Sequence, residues 1–400
     1  MNILVVGNGF DLAHGLPTKY SDFLGFIDYF NIFRSEENID IERIKEADNF
    51  KKLNKNVQKY LLNEKTFDQD NELMNELEQI ASENIWIKHL IWCKRENLLK
   101  GENWIDFEYE ISEIIKGLDY FERKKIKELN ELKNYQASCV KKARKFINEN
   151  SKVLNIYSKN NNITFVNMTF IEENYFSDKK MVINILNDEL NNLIRALEIY
   201  LGDIVGSIPV NNRLKDIEDI QRNESINKVI SFNYTNTFEK LYVNENEEVK
   251  YDYIHGTLDI SRDNTENNMV LGIDEYLTGN EKNERLDFIK FKKYFQRIYK
   301  KTGCEYKKWL EIDGFIDSEN NYGIANTIYI YGHSLDITDM DILKELINFK
   351  QTRTIIFYYD ENDYEQKISN LIRIIGQDNL IAGVYGTDPK IVFKKIQKSK

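Results

Sequence analysis

Ile3-Leu4-Val5-Val6-Gly7-Asn8-Gly9-Phe10-Asp11 joins a four-residue apolar run to a glycine turn. An uninterrupted apolar run that short, bounded by glycine, reads as a strand buried on both faces of a parallel sheet. Aromatic residues then recur at helical spacing from Tyr20 to Phe30. The unit is therefore strand, glycine turn, helix.

Working outward, strand patterns return only near residue 228. Val229 to Phe232, Tyr251 to Ile254, Asn326 to Tyr331 and Thr354 to Tyr358 are the next apolar runs, and helical spacing over Met340–Asn348 and Tyr364–Ile375 separates or follows the last two. Strands alternating with helices imply right-handed crossovers and a mostly parallel sheet. Between these two parts, apolar residues sit three and four apart among charges over Glu72–Leu99, Trp104–Ile115, Phe121–Asn148 and Met181–Leu201, the pattern of amphipathic helices. Met168-Thr169-Phe170 reads as a short strand. The expected class is α/β, a Rossmann-like mostly parallel sheet with a large all-helical insertion after the first strand-helix unit. Residues 1–33 and 224–400 would form the nucleotide-binding domain and residues 34–223 the insertion.

The chain has 400 residues and a formal net charge of −11, which argues against a protein that grips nucleic acid through a basic surface. The one basic run, Lys290, Lys292, Lys293, Arg297, Lys300 and Lys301, reads as a solvated helix face. Cys93, Cys139 and Cys304 are the three cysteines. They show no paired spacing, which speaks against a zinc ribbon or a disulfide framework. No apolar run approaches the ~20 residues that cross a bilayer, and no secretory leader is evident. A cytoplasmic location without membrane contact is the expectation.

The chemistry-bearing residues gather after the strands. Three of four histidines, His14, His255 and His333, stand beside a glycine just beyond a strand, where open α/β sheets hold their ligands. His89 lies among Ile and Trp in a helical stretch and reads as a packing residue. In Gly7-Asn8-Gly9-Phe10-Asp11 the glycines would let the backbone approach a phosphate, although Leu12 stands where a dinucleotide fingerprint has its third glycine. Asn233, beyond the second strand, could orient water or a carboxamide, or fold into an Asx turn with Asn236. His255 could act as general base. Gly332, His333, Ser334 and Asp336 form a loop with donors for a ribose or phosphate, while Thr338 and Asp341 match a capping box. Asp106 and Glu108, two apart, would not share a helix face, but an insert carboxylate could lie over the site as a lid.

With these residues in view, the chain resembles the AbiH abortive-infection family over most of its length. The anchors are Gly7 to Thr18, Trp104 to Glu108, Phe232-Asn233-Tyr234-Thr235, Ile254-His255-Gly256 and Gly332 to Asp336. The resemblance implies a role in phage defence through cell suicide or growth arrest. The same anchors, in the same order, also resemble sirtuin-like defence domains, where an Asn and a His act on NAD. On that resemblance Asn233 and His255 are the catalytic pair, and Gly7, Asn8, Gly9, Phe10, Asp11, His14, Gly332, His333, Ser334 and Asp336 hold the nucleotide. Sirtuin deacylases carry Gln where Phe232 stands, Asp where Thr235 stands, and a zinc ribbon that this sequence lacks, so deacylation is not expected.

Three functions follow as expectations. The first is an effector that cleaves NAD at the N-glycosidic bond, with NAD as substrate and no cofactor or metal required. The second is a nucleotide-binding sensor whose insertion meets a phage or host protein. The third is a nuclease with a divalent ion near Asp11, His14, Asp336 and Asp339. A homo-oligomer is compatible with each.

Overall fold

A computed structural model describes residues 1–35, 40–63, 70–96, 107–124, 138–150, 152–154, 179–244, 247–261, 266–316 and 326–397. The expected strand at 168–170, and Trp104 to Asp106, lie outside these residues. The chain divides into two compact units. One comprises Met1–Lys19, Leu201–Ile260 and Lys300–Lys400, and the other Tyr20–Tyr200 and Ser261–Tyr299. Residues 20–33 and 261–299, which the sequence pattern suggested for the sheet domain, thus cluster with the helices, and residues 201–223 cluster with the sheet.

Among the described residues the first unit is built on six strands: β1 (Asn2–Val6), β2 (Lys228–Ser231), β3 (Lys250–Tyr253), β4 (Asn326–Tyr331), β5 (Thr352–Tyr358) and β6 (Ile391–Lys395). Every pairing is parallel, and the order is β3-β2-β1-β4-β5-β6. This is the Rossmann order, in which the chain leaves β1 toward one edge and β4 toward the other. Alternate β1 side chains explain the apolar run. Ile3 and Val5 join a core with Ile230, Ile328, Ile330 and Ile356, while Leu4 and Val6 join one with Val229, Tyr329, Tyr331 and Phe357. Both faces of the sheet are covered, so no polar residue is tolerated between Ile3 and Val6.

The five strands expected for the sheet are present, four of them with ends moved by a residue or two. β6 was not expected: after Ile391-Val392-Phe393 it runs into Lys394 and Lys395 at a solvent-facing edge, so its apolar run is too short to stand out.

The second unit is helical. Glu72–Leu99 is not one helix but Glu72–Glu83 and Ile85–Arg95, broken at Asn84. Asn84 adopts extended backbone, and its Oδ1 accepts from Ile87 N at 2.9 Å while its Nδ2 donates to Glu189 O at 2.6 Å. A side chain that caps one helix and ties down another outweighs continuing the first. Only part of the basic run is a solvated face: Lys290 and Lys301 are exposed, but Lys292, Lys293 and Arg297 are buried. Lys292 is 1% exposed and pairs with Glu275 at 2.7 Å, and the buried Lys293 pairs with Glu108 at 2.8 Å. Among the described residues no helix is long and apolar enough to cross a membrane.

Candidate functional site

The loops that follow β1 and β4 meet at the switch point. Gly9 N donates to Gly332 O at 2.8 Å, and Gly7 N donates to Tyr331 O at 3.1 Å. A Cβ on Gly7 would stand 2.7 Å from His333 Cα, and one on Gly9 would stand 2.8 Å from Gly332 Cα. Gly332 has φ of +69° and a Cβ there would meet Phe10 N and Gly9 C. The missing side chains thus let one loop lie directly on the other. Leu335, four residues past β4, is buried with φ of +57°, a strained backbone of the kind that persists where surrounding structure enforces it.

Two of the expected histidines converge on one carboxylate. His255 Nε2, beyond β3, lies 3.3 Å from Asp339 Oδ1, and His333 Nε2, beyond β4, lies 3.6 Å from Asp339 Oδ2. All three are buried. His333 Nδ1 accepts from Leu335 N at 2.9 Å. A ring nitrogen that accepts carries no proton, so the His333 proton sits on Nε2 and faces Asp339. Phe232, at the end of β2, packs edge-on against both rings, with centroids 4.3 Å from His333 and 5.6 Å from His255. The sequence pointed to Asp339 only as a metal ligand of a nuclease, and its place between the two histidines was missed. It closes the short 3-10 turn Ile337–Asp339, and the turn is started by Asp336, whose side chain accepts from Thr338 N at 3.0 Å. The expected Thr338–Asp341 capping box is therefore replaced by an Asp336 cap.

Asn233 lies 6% exposed beyond β2, with Nδ2 donating to Gly7 O at 3.0 Å and its backbone N donating to Ser231 Oγ at 3.2 Å. The local turn is made by Ser231, not by Asn236. Asp11 is 1% exposed and accepts from Thr235 Oγ1 at 2.5 Å, while its other oxygen, Oδ1, has no hydrogen-bond partner among the described residues. Burial pushes its carboxyl up to about 6, against the lowering effect of the Thr235 and Thr237 hydroxyls. Asp11 and Asn233 line a narrow cavity together with Ser231, Thr235, Tyr251 and Tyr253.

His14 stands apart from this group. Helix Asn8–Ala13 carries the chain away from β1, and His14 caps its end. Its Nδ1 donates to Phe10 O at 2.7 Å and its Nε2 accepts from Tyr242 Oη at 2.9 Å. Burial lowers its pKa, in keeping with a neutral ring that fastens the helix to the chain after β2. Phe10 packs beside it with centroids 4.6 Å apart. Asn8 Oδ1 accepts from Thr18 Oγ1 at 2.6 Å, and Ser334 is exposed beyond β4, its carbonyl held by Asn370 Nδ2 at 3.0 Å. Asp11, His14, Asp336 and Asp339 do not bring three ligand atoms together. Among the described residues the one such group is His89, Cys93 and Glu110, in the helical unit.

A family model described as "Bacteriophage abortive infection AbiH" matches residues 3–359, a span that contains the site from Gly7 to Asp339. No curated protein and no solved structure gives a significant match.

Proposed function

The chain belongs to the AbiH family of bacteriophage abortive-infection proteins, and on that premise we propose that it is an effector that hydrolyses the N-glycosidic bond of NAD. The observation that carries the reading is the pair of histidines on the Asp339 carboxylate, at the carboxyl ends of the strands beside the β1/β4 switch point. Dinucleotides bind in the crevice at that point of a sheet with this strand order.

In the proposed reaction water attacks C1′ of the nicotinamide ribose, the C1′–N bond breaks, and nicotinamide departs with the bonding pair. Positive charge develops on the ribose as the bond breaks. His255 takes the proton from water, with Asp339 orienting the ring and stabilising the imidazolium that forms. Asn233, anchored to Gly7 O, positions the carboxamide or the attacking water. Asp11, whose carboxyl titrates near 6, is mostly ionised at neutral pH and offers negative charge to the cationic ribose. Ser334 and the Gly332 backbone serve a ribose or phosphate oxygen. The products are nicotinamide and ADP-ribose, and no step needs a metal.

The test is the NAD level over time with purified protein, wild type beside His255→Ala and Asn233→Ala, with and without chelator. Loss of the general base is expected to slow turnover by ~10²–10⁴, with chelator without effect. A His255→Ala protein that consumes NAD at the wild-type rate overturns the reading. Recovery of an intact nucleotide from active-site-complete protein would replace it with a sensor.

A further inference from the structure

His89 and Cys93 sit four residues apart on helix Ile85–Arg95 and therefore share one face. Glu110, on helix Phe107–Lys124, meets that face. His89 Nε2 is 3.3 Å from Cys93 Sγ and 4.0 Å from Glu110 Oε2, and Cys93 Sγ is 3.9 Å from the same oxygen. All three residues are at least 97% buried. The two contacts to Oε2 are too long for good hydrogen bonds. They suit atoms arranged around a common centre, because the point equidistant from the three lies about 2.2 Å from each, against zinc–ligand distances of about 2.0–2.3 Å.

We propose that His89, Cys93 and Glu110 bind one divalent ion of the zinc class, through an imidazole nitrogen, a thiolate and one carboxylate oxygen. The donor set selects the metal: sulfur and imidazole favour zinc or cobalt over magnesium or calcium. Thiolate and carboxylate bring two negative charges to a dication, with the Lys142 ammonium as a further positive charge on the far side of Glu110. The supporting shell is in place. Glu110 Oε1 accepts from Lys142 Nζ at 2.5 Å, which turns Oε2 toward the histidine and the cysteine, as outer partners of metal carboxylates do. Phe146 packs edge-on to His89 with centroids 5.2 Å apart and stacks on Trp86, so the surroundings are dry. Metal binding at the sulfur expels the thiol proton to solvent as the metal–sulfur bond forms. The ion would pin helix Ile85–Arg95 to helix Phe107–Lys124, a structural role separate from the histidines of the sheet unit.

The experiment is reconstitution of chelator-stripped, reduced full-length protein with cobalt(II), read by absorption, followed by displacement with zinc and a metal count per chain. One ion per chain, with a near-ultraviolet thiolate-to-cobalt band and visible bands of a low-coordinate site, is expected. His89→Gln and Cys93→Ser should weaken binding at least ~100-fold, given that losing even an outer partner costs ~10–100-fold, whereas Cys139→Ser and Cys304→Ser keep the thiolate band. If the core variants do not fold, the wild-type spectrum decides: folded wild type that takes up no cobalt, or takes it up without a thiolate band, overturns the proposal. Binding that persists unchanged in folded Cys93→Ser does the same.

Discussion

Replacing Asp11 with Asn should make the protein more stable, by an amount that grows with pH. Asp11 is 1% exposed, and its carboxyl titrates near 6 against an ordinary value of 3.8. The folded state therefore holds the proton more tightly than the unfolded chain does. At pH well below 3.8 both states are protonated and ionisation costs nothing. As pH rises from 3.8 through 6 the unfolded chain ionises first, and the folded state falls behind until the cost saturates at about 3 kcal/mol. The same two values give a cost of about 1 kcal/mol at about pH 4.5, so about 2 kcal/mol of it develops between there and about pH 8. Asparagine keeps an oxygen to accept from Thr235 Oγ1 and removes the charge. The assay is urea unfolding of both proteins at about pH 4.5, 6 and 8. The advantage of the Asp11→Asn variant over wild type should widen by about 2 kcal/mol across that range, while the midpoint of either protein alone also reflects its other carboxylates. A difference between the two proteins that stays flat with pH would show that Asp11 is not held as a costly buried acid. A charge kept at that expense, beside Asn233 in the same cavity, is what a site needing negative charge would retain.

Other outcomes follow from the same geometry. Gly332→Ala should destabilise by about 2–5 kcal/mol, from a left-handed backbone plus a collision with the β1 loop, whereas Gly15→Ala, with φ of +78° and nothing within 4 Å, should lose only the backbone part; equal denaturation midpoints for the two would refute the loop-on-loop packing. Asp339→Asn should lower NAD turnover by ~10-fold or more with little change in KM, and unchanged progress curves would remove Asp339 from the site. Tyr242→Phe withdraws the hydroxyl that donates to His14 and accepts from Leu214 N, and should cost about 1–3 kcal/mol in thermal or chemical unfolding. Asn84→Ala should cost about 0.5–2 kcal/mol through the lost cap, visible as faster hydrogen exchange at the start of helix Ile85–Arg95.

The sheet was legible where burial on two faces leaves a continuous apolar run, as in β1 and in β4, whose limits at Asn326 and Tyr331 match the expected ones. An edge strand such as β6 carries no such run. In the site, a histidine beside a glycine after a strand pointed to His255 and His333. It failed for His14, because six helical residues move that position off the strand end. The role of Asp339 was hidden by its neighbours: Thr338 and Asp341 satisfy a capping pattern, and sequence spacing does not tell which acid turns inward. His89 reads as a packing residue and is packed edge-on to Phe146, while its neighbour Glu110 belongs to the next described helix, beyond the reach of sequence spacing.

The pairing of β1 has a consequence for how the protein is made. Val6 lies opposite Ser231 on one side and Tyr331 on the other, so β1 waits for its second partner until synthesis has reached Tyr331. At ~5–20 residues per second, roughly 15–65 seconds separate the emergence of Val6 from that of Tyr331. The Asp339 carboxylate that joins the two histidines emerges later still. Chains cut short before Asp339 thus lack the acid that His255 and His333 share.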